Sequence, residues 1–321
     1  MASDSRTRPL IEGALMAALT VAITLFSVYA PIIGLVTLFF VPIPLIILQV
    51  RHGLRITLVA VVATALLTIA FMGLANGLLI GGGLWLMALS YGFAVRRKLG
   101  ALASYAITAA ATTVGAVATW AGTLLIMGED SVAQAGASLT EAIKEFIRVN
   151  GARLTPDQID LLQRQTSVAT DWAHKYVLAM LIGSALFMAL IVYLAAGWVL
   201  PRVGITVPRF PPFARWQLPL MPILLVWAVG LIVLSGAGRF PQLARFVPVA
   251  SNLYSLCTIA FIIEGLAVAY FFLTAVKVPP VLRVVLVLLL MINMVTARLA
   301  MWFGIFDYLF DYRRLRAKPA N

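Results

Sequence analysis

Acidic residues are scarce in this chain. Only 12 of its 321 residues are Asp or Glu, against 24 Lys and Arg, and charged residues make up 11% of the whole. Cysteine is almost missing. Cys257 stands alone inside an apolar run, which excludes an intramolecular disulfide and any Cys-x-x-Cys metal or redox site. The two histidines, His52 and His174, are far apart in sequence and flank helix ends, so no metal site is expected. No Walker loop, His-Glu-x-x-His pair or serine-hydrolase elbow occurs. The expectation is a chain that needs no cofactor and is not an enzyme.

What is abundant is hydrocarbon. Hydrophobic residues are 62% of the chain, so a soluble domain of this length would lack the polar surface it needs. A bilayer core about 30 Å thick is crossed by roughly 20 helical residues. Apolar runs of about that length fall near 9–30, 33–50, 55–74, 77–95, 101–127, 174–200, 217–236, 249–276 and 281–302. The expected fold class is therefore an all-α integral membrane protein with eight or nine transmembrane helices. Pro42 and Pro44 are expected to bend or partly unwind the second run. Pro9 suits the first turn of the first helix, with Glu12 complementing its dipole. Arg6 and Arg8 ahead of an apolar stretch ending Ser27-Val28-Tyr29-Ala30 faintly resemble a signal peptide. The following Pro31 and the next apolar run favour a retained first span.

One stretch breaks the apolar pattern. Seven of the twelve acids, Glu129, Asp130, Glu141, Glu145, Asp157, Asp160 and Asp171, lie between 128 and 175. Leu139, Ile143, Phe146 and Ile147 share one helical face, and Thr155-Pro156-Asp157 reads as a helix start. The stretch is expected to be a helical hairpin outside the membrane, packed through its apolar face on its twin helix or on the membrane surface. The chain then divides into transmembrane helices one to five (1–127), the hairpin (128–173), the sixth span (174–200) and a Pro/Arg-rich connector (201–216). Further spans (217–303) and a basic juxtamembrane tail (304–321) complete it.

Orientation follows from the excess of cations. Outside 128–175 there are 19 basic and five acidic residues, and they gather at Arg51/Arg55, Arg96–Lys98 and Arg202/Arg209/Arg215. A cytoplasmic N-terminus puts all three clusters inside and the hairpin outside. The formal charge of +12 is thus assigned to membrane orientation and anionic headgroups rather than nucleic acid. The last third conflicts with this scheme. Nine spans would leave Arg313, Arg314, Arg316 and Lys318 outside, so either one late segment fails to cross or the tail breaks the rule.

Glu264 is the side chain that stands out, a carboxylate in the run Phe261-Ile262-Ile263-Glu264-Gly265-Leu266. It calls for a partner charge, a cavity or a proton path, or else is a protonated or hydrogen-bonded structural glutamate. Arg298 either pairs with it across helices or snorkels to the interface. Asn76, Trp85, Tyr91, Trp120, Asn252, Glu264 and Arg298 are the substrate-binding candidates. The small-residue spacings Gly73-x-x-x-Gly77-x-x-x-Gly81 and Ala14-x-x-x-Ala18 would let helix backbones touch, although glycines from 77 to 83 could equally serve a turn.

Several stretches in order resemble the YybS-like family of bacterial membrane proteins, whose function is unassigned. They are Glu12-Gly13-Ala14-Leu15, Tyr29-Ala30-Pro31-Ile32-Ile33-Gly34, Pro42-Ile43-Pro44 and Arg51-His52-Gly53. Val207-Pro208-Arg209-Phe210-Pro211-Pro212-Phe213, Leu218-Pro219, Asn252, Glu264-Gly265 and Gly304 through Arg314 continue the match. At Glu264 the family more often has Gln, which argues against a proton-carrying role there. The first six spans also resemble the substrate-binding S-component of energy-coupling-factor (ECF) vitamin transporters. That resemblance implies that Ala14 and Ala18 dock a transmembrane partner subunit and that the outer loops cover a solute cavity. The extra C-terminal spans depart from it.

These readings lead to a multi-pass protein of a bacterial cytoplasmic (inner) membrane. It would be of transport type, binding a small organic solute and relying on partner subunits for energy. The alternative is a membrane scaffold or regulator that positions partners at the envelope. An embedded enzyme comes third, and needs the fold to bring Glu264, Arg298 and Asp307 together.

Overall fold

The computed structural model describes residues 4–128 and 131–313, and among them every regular element is a helix. By length and composition six helices can cross a membrane: Thr7–Tyr29, Ile33–His52, Leu54–Met72, Ala101–Leu125, Val177–Val203 and Pro241–Ala275. A bent pair, Pro280–Met291 with Val295–Phe310, raises the number to seven if it counts as one span. The chain forms two compact units, residues 1–174 with 180–209 and residues 175–179 with 210–321.

The first unit begins with α1 (Asp4–Tyr29). The helix starts five residues before Pro9, so Glu12 lies in its third turn rather than its first, contrary to the expectation above. Pro31 ends the run and opens α2 (Pro31–Thr37), and Pro42 precedes α3 (Ile43–His52), so the second apolar segment is two helical pieces joined by a tight turn. Every residue of α3 from Ile43 to Gln49 is buried, as a helix apolar on all sides should be when neighbours surround it. Those neighbours are α1, α4 (Leu54–Met72) and α5 (Leu74–Arg96).

Helix α4 is inverted relative to a soluble protein. Thr57, Ala60, Thr64 and Thr68 are buried, while Val59, Leu66 and Phe71 point outward at about 60% exposure. The buried hydroxyls of Thr57, Thr64 and Thr68 donate to the carbonyls of Gly53, Ala60 and Thr64 at 2.7–3.0 Å, so no polar group is left unpaired there. In α6 (Ala101–Met127) Ser104, Thr108 and Thr112 are likewise buried, and Leu125 is 84% exposed. Small polar groups inside and large apolar groups outside is the arrangement lipid favours, since tails solvate Leu as well as a core does.

Between α5 and α6 the backbones nearly touch. A Cβ on Gly115 would lie 2.9 Å from the Cα of Gly83, and one on Gly82 would strike Thr119. The glycine repeat noted in the sequence divides differently. Gly73 sits in the turn before α5 at φ +81°, Gly77 meets Ile69, and Gly81 is covered by Trp85 of its own helix.

Next come α7 (Ser131–Asn150) and α8 (Pro156–Lys175), which approach each other at Gly136 and Thr170. Thr155 and Gln158 cap α8 reciprocally, N–H to side chain in both directions. Glu145 lifts the pKa of Arg148 through paired hydrogen bonds, but that pair is exposed and contributes little. Helix α9 (Val177–Val199) follows, burying Ala185, Ala189, Val192 and Ala196 along one stripe. Tyr193 on the same side packs on Tyr91 at 5.1 Å.

One end of this unit collects its cations. Glu12 receives Arg51 at 2.7 Å and pairs with His52 at 2.8 Å, both at the end of α3. Arg51 also reaches the Val203 carbonyl, and Arg96 at the end of α5 lies over Gly53. The start of α1, the ends of α3 and α5, the start of α4 and residue 203 therefore share one end.

The second unit contains α10 (Leu220–Gly236), α11 (Val247–Ala275), α12 (Pro280–Ile292) and α13 (Met294–Phe310). The apolar run at 281–302 is not one helix. Asn293 takes an extended conformation, and its side chain accepts from Val295 N–H at 2.8 Å. This cap starts α13 at 106° to the preceding helix.

Candidate functional site

The chemistry of the second unit gathers where α11 and α13 cross. Gly265 faces Ala300 and Gly304 faces Phe261 so closely that a Cβ at either glycine would run into a backbone carbonyl. The contact places Glu264 and Asp307 side by side. Asp311, with φ +48°, then turns the chain back at the end of α13. The turn delivers Arg313 to both carboxylates, pairing with Glu264 and, at 2.8 Å, with Asp307. The Arg313 side chain is 0% exposed, and the two carboxylates are 3% and 2% exposed.

Backbone groups complete the cluster. Leu218 N–H donates to Glu264 at 3.0 Å, and Arg313 donates to the Ala214 carbonyl at 3.0 Å. Arg313 N–H donates to Asp307 at 3.2 Å. Two carboxylates face one guanidinium, a formal excess of one negative charge in an apolar setting. The guanidinium fork meets several acceptors at once in a fixed planar geometry that a lysine ammonium lacks. The arrangement is a closed tie rather than an open pocket. It fastens the segment after α13 to the segment before α10.

The partner of Glu264 is thus Arg313. Arg298, the other cation considered, is exposed on α13. Of the three groups an embedded enzyme would have needed, Glu264 and Asp307 meet and Arg298 does not join them. Asn252 is fully engaged elsewhere. Its amide donates to the carbonyls of Lys175 and Pro248, and its oxygen accepts from Ala179 N–H at 2.8 Å. That bracket holds residues 175–179 against α11.

The remaining candidates lie in the first unit. Trp85 and Trp120 are half-buried on α5 and α6, and Tyr91 is fully buried. The Asn76 and His174 side chains and the basic residues Arg314, Arg316 and Lys318 lie outside the described residues. Among the described residues the Tyr91 hydroxyl and the Gln49 side-chain oxygen are buried without a hydrogen-bond partner, a condition that costs about 1–3 kcal/mol per group. Gln49 escaped notice in the sequence because a single amide in an apolar run carries no period. Ala14 and Ala18 are exposed on α1, while Gly13 and Ala17 on the neighbouring stripe are buried. Among the described residues no group of three His, Cys, Asp or Glu could hold a metal ion.

The sequence pattern of the family described as "Predicted membrane protein (DUF2232)" matches residues 18–308. The chain belongs to this family. The chain is also 24% identical over 315 residues to the "Uncharacterized protein YybS" of Bacillus subtilis (strain 168), covering 96% of this chain and 98% of that one. No solved structure matches. Membership agrees with the membrane character of the helices and with the near full-length resemblance read from the sequence.

Proposed function

We propose that the chain is a transport-type membrane subunit that takes a small organic solute from the outer side and draws its energy from partner subunits. The observation that carries this reading is the outward face of α1. Ala14, Ala18 and Ala22 form an exposed small-residue seam, while Gly13, Ala17, Thr20 and Thr24 face inward. In lipid a seam of this kind is a docking face for another transmembrane helix, because small side chains let backbones approach. The first unit, S-component-like, would hold the solute, with Trp85 and Trp120 in its wall. The α7–α8 hairpin would act as an outer lid.

The membrane topology that fits has eight spans in a bacterial cytoplasmic membrane, N-terminus inside. To the six helices that qualify by length and composition it adds α5 and α10, with α12–α13 as a re-entrant bend. The tie between Arg313 and Ala214 supports an even number of crossings between these two residues, since it puts them side by side. Tail and connector cations then share the cytoplasmic side, which removes the conflict with the positive-inside rule.

The test is co-purification from native membranes in mild detergent. Ala14→Phe with Ala18→Phe should leave the thermal stability of the isolated chain unchanged and reduce recovered transmembrane partners at least tenfold. Unchanged recovery, or no partner with the unaltered chain, would overturn the reading. The scaffold alternative draws on exposed apolar side chains of the hairpin, among them Phe146, Val149 and Trp172. Under it the same variant would keep its partners, captured through α7 and α8.

A further inference from the structure

The chain folds back on itself after α9, and this turn builds a pocket. Pro201 begins a tight turn over Leu200–Val203, and Gly204 follows at φ +79°, a conformation that side-chain-bearing residues rarely adopt. Ile205 N–H donates to the Leu200 carbonyl at 3.0 Å, closing the turn. Further on, the Tyr193 hydroxyl donates to the Pro208 carbonyl at 2.5 Å and pins the returning segment along α9. The result is a surface cavity of about 410 Å³ lined by Gly197, Trp198, Pro201, Arg202 and Arg209.

Two guanidinium groups line this cavity and no carboxylate does. Arg202 is held in place: it donates to the Trp198 carbonyl, and its guanidinium stacks over the Trp198 ring at 3.8 Å. Its other N–H groups are left for an incoming acceptor. Arg209 has no acidic partner among the described residues. Nearby Arg51, by contrast, is already paired with Glu12. The pocket lies at the end of the apolar segment Val177–Val203, and Trp198 is 60% exposed beside it. Aromatic side chains with one polar edge settle at that depth of a bilayer, where phosphates begin.

We infer that this pocket binds the phosphate group of an anionic phospholipid, with Arg202 and Arg209 gripping the phosphodiester oxygens and Trp198 bordering the glycerol and acyl region. Guanidinium forks match phosphate geometry, and the fixed turn supplies the cavity before the lipid arrives. The site is separate from the proposed solute cavity and from the α1 seam, and it stands whether or not the solute-handling reading holds.

The experiment is thermal unfolding of the full chain in detergent with added phosphatidylglycerol, phosphatidylcholine or inorganic phosphate. Phosphatidylglycerol alone should raise the melting temperature in a saturable way. Each arginine removed should weaken the apparent affinity about fivefold, and Arg202→Gln with Arg209→Gln roughly thirtyfold. The melting temperature of the double variant in phosphatidylcholine should match the unaltered chain, which shows that the fold survives. If Arg202→Gln disturbs the turn, Arg209→Gln alone carries the test, because that side chain makes no bond within the described residues. Equal stabilisation by inorganic phosphate would show a free-anion site and overturn the lipid assignment. A phosphatidylglycerol shift that persists in Arg209→Gln and in the double variant, or no shift at all, would overturn the pocket itself.

Discussion

Replacing Arg313 with alanine should destabilise the second unit by about 3–5 kcal/mol, one of the largest effects of any single change in the protein. Among the described residues the guanidinium is the only cation in a cluster that is nearly inaccessible to water, and its loss leaves Glu264 and Asp307 as adjacent buried carboxylates. Their repulsion and desolvation add to the loss of the bond to Ala214. Glu264→Gln should cost much less. The amide oxygen can accept from Leu218 N–H or from Arg313 but not from both, while Arg313 with Asp307 becomes a balanced pair, so the loss should be smaller, about 1–2 kcal/mol. Equilibrium unfolding of both variants in mixed micelles checks the pair. Similar losses for the two would mean that the cluster is not held by charge balance.

The second large effect is steric. Gly265→Ala and Gly304→Ala should each destabilise the unit by an amount at or above the top of the usual overpacking range of about 1–3 kcal/mol. The added methyl would meet the Ala300 carbonyl in the first case and the Phe261 carbonyl in the second. Neither can yield without moving a helix, because helical carbonyls are already committed to hydrogen bonds. Gly122→Ala in α6 is the control, since nothing lies within 4 Å of its added carbon and a helix gains from alanine. Forcing α11 from α13 also separates Glu264 from Asp307. The glycine and Arg313 variants should therefore combine to less than the sum of their separate effects. A Gly304→Ala protein as stable as the parent would show that the crossing is looser than the geometry implies.

Both effects bear on what could be read before the fold was known. Glu264 was visible because a lone carboxylate in an apolar run must find a partner. Arg313 was hidden because a cation after the last apolar run looks like a membrane-surface residue. Only the left-handed turn at Asp311 carries it back to Glu264 and Asp307. The break at Asn293 was concealed for a similar reason, since one amide hardly changes the hydropathy of a long run. The small-residue signal was sought in the glycines at 73–81, whereas the tightest crossing uses Ala300-x-x-x-Gly304 against Gly265. Spacing alone could not say which glycines face another helix. The length of the apolar runs did locate α4, α6 and α9, whose buried stripes are built largely from small residues. The candidates for a solute were chosen by residue type, and type does not bring residues together. The structure leaves Asn252, Glu264 and Arg298 in one unit and Trp85, Tyr91 and Trp120 in the other.

The functional account depends on an outer hairpin and an inner tail, and accessibility to a membrane-impermeant thiol reagent tests that directly. In a Cys257→Ser background, Glu141→Cys on α7 should label in intact cells whose outer barrier has been opened. Lys318→Cys should label only after the cytoplasmic membrane is permeabilised. Labelling of both positions from the same side would contradict the topology, and with it the reading of α7 and α8 as a lid over a solute taken from outside.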